Sequence, residues 1–333
     1  MRPAHVVCWF LVLAGLVLAA DATRAADVRL LPSDTEMVLI LDVKQLLNSE
    51  LAKSQHKLIV QIKDAVASKL SGDSDAIKFL QKFGIDPLKD VHRFTFVHPG
   101  SKDKEDGLIV VEGTFDPDKF ASTFKELANL PPNEIRFLKS GGTTIYETSG
   151  KPRPAYVALH QGTTLLMGHE KARLTDVLEQ LSGTRKPALK PEVKDLLDTV
   201  SDKQTLSWVA TSRAMFNIVD IAKIPKGLLN PQQDFNGTSL AITVAKDIQF
   251  QCTLGVDKKA TADRIVEGAS GALKFVRAML AAQAQKDPKV GPIVDVIDTM
   301  RFKTMGTNVL MRGEVSYANL EKLIKESPKL GGN

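Results

Sequence analysis

The sequence predicts an α+β fold made of two similar halves, each an antiparallel sheet with helices packed on a face. Three observations predict it. The stretch GTTLLMGHEKARLTDVLEQL from Gly162 and the stretch GTNVLMRGEVSYANLEKLIK from Gly306 share five of their first nine positions. The elements around the two stretches recur in one order, which points to an internal duplication. The strands within each half are joined by short polar hops, which favours antiparallel neighbours. Helices that follow in runs then cover a face of the sheet.

Taken in order, the first half opens with LPSDTEMVLILDVKQLL, a turn and then the apolar run Met37–Leu41, a buried strand. Leu51–Leu70 reads as an amphipathic helix, with Leu58, Ile59, Ile62, Val66 and Leu70 on one face. A second helix over Asp75–Phe83 stops at Gly84, a left-handed cap. DVHRFTFVHPG and GLIVVEGTF are strands joined by the loop SKDKED. Asp116 caps a helix with Pro117 in its first turn and Phe120, Phe124 and Leu127 as its buried stripe. Strands through GGTTIYETS, AYVALH and TTLLMG follow, and a helix with Leu174, Val177, Leu178 and Leu181 closes the half.

A Pro-containing linker, residues 184–191, separates the halves. Beyond it QTLSWVATSRAMF takes the role of TEMVLILDVKQLL. Asp257 stands where Asp116 stood, before a long helix over Ala260–Ala284, and RFKTMGTNVLM matches ALHQGTTLLM. Both hairpins are expected to turn on two residues, Gln161-Gly162 and Met305-Gly306. The organisation is therefore a signal segment at 1–22, a first half at 27–183, the linker, a second half at 192–328 and a tail at 329–333. Whether the halves share one sheet is left open.

The signal segment rests on one Arg, an apolar run from Val6 to Ala20, and Ala20-Asp21-Ala22 as a small-x-small cleavage site, with Ala26 as a later alternative. The run is short for a bilayer span, with an uncleaved anchor as the alternative, and no later stretch is long and apolar enough. The expected location is secreted or periplasmic. Removal of the segment leaves one cysteine, Cys252, on the apolar parity of IQFQCTLGV, a buried and inert thiol. The chain is 43% hydrophobic and 25% charged, and its net charge of +5 is interspersed with acids rather than gathered into a basic stripe. That argues against nucleic acid as a partner.

The strand LPSDTEMVLILDVKQLL, the turn GIDPLKDVHRF and the passage VVEGTFDPDKF resemble a group of secreted bacterial proteins of unknown function, common in Planctomycetes and myxobacteria. They are similar in style to a periplasmic domain-of-unknown-function family. The resemblance covers most of the first half. It implies an envelope protein and brings no activity, cofactor or site residue.

Chemistry-bearing residues do not fall into a motif. His92 and His98 share a strand face but stand about 20 Å apart, too far for one metal. His160 and His169 bracket a hairpin, and the second copy is expected to carry Thr304 and Gly313 in their place. A fold that recurs without the histidines does not need them, and solvated strand ends are the expectation. Asp42 and Glu112 end or interrupt apolar strands and are weighed as an acid–base pair against strand-end or exposed positions. Ser-x-x-Lys occurs three times (Ser54, Ser101, Ser122) without its companion motifs. GDSDA at 72–76 is a fragment of a calcium loop, and Asn236-Gly237-Thr238 is a bare sequon. No metal or cofactor is expected.

The leading expectation is a non-catalytic binding or structural module of the envelope, with another envelope protein or itself as partner and no stable membrane span after cleavage. One alternative is a periplasmic hydrolase with a cleft between the halves, using His160 or His169 and Glu170. The other is a small-ligand carrier with a large apolar cavity.

Overall fold

The computed structural model describes residues 27–54, 82–103, 105–129, 134–149, 153–201, 203–218 and 235–326. The signal segment, the tail, His56, the calcium-loop fragment and most of the helices expected over Leu51–Leu70 and Asp75–Phe83 lie outside the described residues.

Among the described residues twelve strands form one antiparallel sheet. The first half supplies β1 (Met37–Asp42), β2 (Val91–His98), β3 (Leu108–Gly113), β4 (Ile135–Ser140), β5 (Thr143–Thr148), β6 (Ala155–His160) and β7 (Thr164–Gly168). The second supplies β8 (Leu206–Thr211), β9 (Phe235–Val244), β10 (Ile248–Val256), β11 (Arg301–Met305) and β12 (Asn308–Val315). Their spatial order is β11-β12-β10-β9-β8-β1-β2-β3-β7-β6-β5-β4. The halves are joined by pairing of β1 with β8, and the order outward from that junction is the same on both sides for five strands. β4 and β5 extend the first half alone.

The junction is two-fold in its register. Val38 pairs with Val209, and Ile40 with Ser207. Its ends close alike: the Asp42 N–H donates to the Thr205 carbonyl at 2.9 Å, and the Thr211 N–H to the Glu36 carbonyl at 3.0 Å. Following the pairs outward, Gly168 of β7 occupies the place of Arg312 of β12, and Leu166 that of Leu310.

The front face, marked by Val38, Val97, Val110, Leu166 and Val209, is covered by the turn Val28–Leu30, α4 (Lys171–Leu181) and α5 (Pro191–Leu197). The helix expected at Leu174, Val177 and Leu178 forms, and those three side chains are fully buried. Asp176 of α4 accepts from the Ser33 N–H at 2.9 Å, and the Gln180 amide donates to the Leu31 carbonyl at 3.2 Å. These bonds fix the lead into β1. Residues 184–190 are exposed or half-buried as a linker should be, yet α5 directly after them inserts Val193, Leu196 and Leu197 into the cluster that holds Val38 and Val97. One core therefore crosses the junction.

The back face carries α1 (Val43–Asn48) and α2 (Glu50–Ser54) near the junction and α3 (Pro117–Ala128) over the first half. Asp116 caps α3 by accepting from the Asp118 and Lys119 N–H groups, and Phe120 and Phe124 are buried against Tyr146. In the second half, α6 (Ser212–Ile218) follows β8, and α7 (Lys259–Ala284), α8 (Gly291–Thr299) and α9 (Tyr317–Glu326) follow the hairpins. Asp257 does not cap α7. Lys258 takes the cap position without a side-chain bond, because the helix starts one residue later than the alignment with Asp116 required. The sequon residues Asn236–Thr238 lie inside β9, not in a loop, and Thr238 is buried.

Candidate functional site

The paired registers line up one row of polar side chains across the front face of the first half. Asp42 pairs with Arg93, Arg93 with Glu112, Glu112 with Thr164, and Thr164 with His160. The His160 Nδ1 then meets the Thr143 hydroxyl at 2.8 Å. Six strands thus bring residues far apart in sequence to one end of the sheet.

Arg93 is the centre of the charged part. Its guanidinium donates to the Asp42 carboxylate at 3.1 Å and lies 3.7 Å from Glu112. Asp42 is 5% exposed. Asp42 does end β1, as expected of a strand-end residue, but the expectation of an exposed parity is corrected: both acids point to the covered face, Asp42 buried and Glu112 half-buried. Burial pushes the Asp42 carboxyl above its ordinary value, and Arg93 partly offsets the shift. Burial also pushes Glu112 up, with Arg93 again opposing. The Nε of Arg93 and the Oε2 of Glu112 have no hydrogen-bond partner among the described residues. One guanidinium thus serves two carboxylates.

His160 departs from expectation as well. It is 7% exposed, not solvated, because the β4–β5 hairpin brings Thr143 over it. Burial holds its imidazole below the ordinary value. A cavity of about 290 Å³ opens beside it, lined by Phe120, Tyr146, Leu159 and the Gly141-Gly142 turn. Among the described residues the lining holds one imidazole, that of His160, and no carboxylate. Glu112 is two strand spacings from His160, about 10 Å.

His169 and Glu170 lie elsewhere. Gly168 pairs with Tyr156 and His160 with Thr164, so His169 follows the opposite end of the hairpin. Its Nδ1 meets the Pro154 carbonyl at 3.0 Å, and Glu170 stands at the start of α4 without a side-chain cap bond. His160, His169 and Glu170 therefore do not converge. At the junction of the halves β1 and β8 pair directly. His98, at the far end of β2, is 1% exposed; its Nδ1 accepts from the Gly100 N–H and its Nε2 bonds the Asp103 carbonyl. His92 sits in the bulge between Val91 and Arg93. Among the described residues no group of three or more His, Cys, Asp or Glu is placed to hold a metal. Cys252 is half-buried with its thiol pushed up by burial.

The second half has the same strand positions without the charges. The places of Asp42, Arg93, Glu112 and Thr164 are taken by Thr211, Gly237, Gly255 and Asn308. At Gly237 a Cβ would stand 2.7 Å from Leu196 of α5, so the helix occupies the space that Arg93 fills in the first half. The place of His160 is taken by Met305, not by Thr304. The β6–β7 turn uses three residues (161–163), whereas Met305 pairs directly with Asn308 across Gly306-Thr307. The shorter turn advances β11 by one residue and reverses its facing relative to the aligned sequences.

No family model matches the chain, and no curated protein does. A solved structure titled "Structure of crystal form I of TP0453" is similar at a TM-score of 0.45 and 10% identity, over 92% of this chain and 98% of that chain. A likeness this loose carries no argument about fold or function. No helix among the described residues is long and apolar enough to cross a membrane.

Proposed function

We propose that the chain is a secreted or periplasmic, non-catalytic binding module of the cell envelope, exported by a cleaved signal segment. Its two halves are read as an internal duplication, a reading supported by the matching strand order and registers on either side of β1–β8. The observation that carries the binding reading is that the sheet ends in two unlike edges. At β11 the long helix α7 lies alongside, and Asp263 of that helix hydrogen-bonds Thr304. At β4 no described strand follows, and Phe137 is 48% exposed. An open edge is a ready docking place for another strand. The ionisable groups, by contrast, are tied to one another along the sheet and do not gather around the cavity.

The test is mild crosslinking of the tagged chain in its native envelope, followed by mass spectrometry. A crosslinked species of fixed stoichiometry, with another envelope protein or with the chain itself, is expected. Recovery of the uncrosslinked monomer alone would overturn the reading.

A further inference from the structure

The geometry points to a two-fold dimer in which β4 pairs antiparallel with β4 of a second copy, centred on Phe137. The inference rests on the binding reading above and names the occupant of the open edge. The Ser149 N–H donates to the Glu134 carbonyl at 3.0 Å, and Ser140 pairs with Thr143 across the Gly141-Gly142 turn. Alternation of an antiparallel ladder then directs the backbone groups of Arg136 and Leu138 toward β5. Those of Ile135, Phe137 and Lys139 point outward, and none of them bonds a described residue. The three outward residues are symmetric about Phe137. A two-fold axis through that position satisfies all of them at once.

The side chains choose the same register. On the back face Phe124 stacks on Tyr146 at 4.0 Å, and Phe137 meets Tyr146 edge-on at 5.5 Å. This aromatic line begins in the core and ends half in water. In the two-fold register Phe137 lies against Phe137 of the second copy, and the line continues into the other core. Arg136, already 3.9 Å from Glu147, falls opposite Leu138, and Lys139 falls opposite Ile135, so no like charges face directly. Sliding the pairing so that Ile135 meets Phe137 sets Arg136 against Arg136, which is unfavourable. Sliding it the other way sets Lys139 against Phe137. Because a two-fold pairing uses the same edge on both copies, pairing through β4 closes at two copies.

Sedimentation of the purified chain across a concentration series is the test, with two variants. Phe137→Pro removes an outward N–H and leaves the bonds to β5, so the chain is expected to keep its circular dichroism spectrum. Its self-association is expected to be at least ten-fold weaker. Phe137→Cys in a Cys252→Ala background is expected to oxidise to a disulfide-linked dimer, since directly opposed residues lie within disulfide reach, while Arg136→Cys is expected to do so far less. A chain that stays monomeric at every concentration overturns the dimer. So does a dimer that Phe137→Pro leaves intact, or equal disulfide yields from the two cysteines. A monomer that crosslinks through β4 to a different envelope protein also overturns it, yet leaves the proposed function standing.

Discussion

The two halves share their strand order and differ in what fills it. In the first, the front face is closed by α4, α5 and the Val28–Leu30 turn, and Leu166 there and Leu165 on the back face are fully buried. In the second, the matching Val309 and Leu310 are 5% and 6% exposed, and the neighbouring front-face positions include Gln249, Gln251, Arg301 and Arg312. The first half also carries the row Asp42–Arg93–Glu112–Thr164–His160, where the second has Thr211, Gly237, Gly255, Asn308 and Met305. The comparison teaches that the ladder and its turns are sufficient for the sheet. The ionisable row stands in the first half, and in the second α5 fills the space that corresponds to Arg93.

The largest expected effect sharpens the packing side of that comparison. Leu166→Ala should cost about 4 kcal/mol, and Leu310→Ala about 2 kcal/mol, since the first site is enclosed on all sides and the second can relax toward its more open surroundings. Denaturant titration of both variants checks the order; equal losses would mean the halves are equally packed. Next is Arg93→Leu, which leaves the buried Asp42 and the half-buried Glu112 without their cation and should cost about 3 kcal/mol at neutral pH. Adding Asp42→Asn and Glu112→Gln to that variant should recover most of the loss.

A smaller effect concerns pH. Burial raises the Glu112 carboxyl, so the folded chain keeps its proton where the unfolded chain has already lost it. Stability from this group is full below the ordinary carboxylate range and falls as pH rises through the raised value. His160 has the opposite sign. Its lowered imidazole gives full stability above the ordinary value of 6.5 and loses it as pH falls from there toward the lowered value. Glu112→Gln and His160→Gln should therefore tilt the stability–pH curve in opposite senses, measured by thermal melts between about pH 4 and 8. A shared tilt would show that one assignment of burial is wrong.

The smallest effect compares the turns. Gly162 has φ +69° with the Phe115 carbonyl 3.1 Å from a would-be Cβ, whereas Gly306 has φ +62° and open space around it. Gly306→Ala should cost about 1 kcal/mol from backbone strain, and Gly162→Ala more.

Much of the ladder was legible because strands and turns are local. The match of Thr35–Leu47 to Gln204–Phe216 places Val38 with Ser207, as the two-fold register does. The match of Gly162 to Gly306 places Gly168 with Arg312, again as the registers do. What escaped the sequence depended on distant partners. The run IRFLKS of β4 has too short an alternation to stand out beside the hairpin that follows it. His160 is buried by Thr143 from another hairpin. Asp42 and Glu112 were visible as candidates, but Arg93 between them was not, since only the strand order sets those three side by side.

The central claim is that the described halves are joined in one sheet, with packed side chains that cross the β1–β8 junction. Residue-resolved hydrogen exchange under native conditions tests it at the junction. The account expects the Asp42 and Thr211 amides, which close the two ends of β1–β8, to exchange only with the same global unfolding that exposes Val38 and Val209. Exchange of those two amides through a cheaper opening, with the cores of both halves still protected, would contradict it.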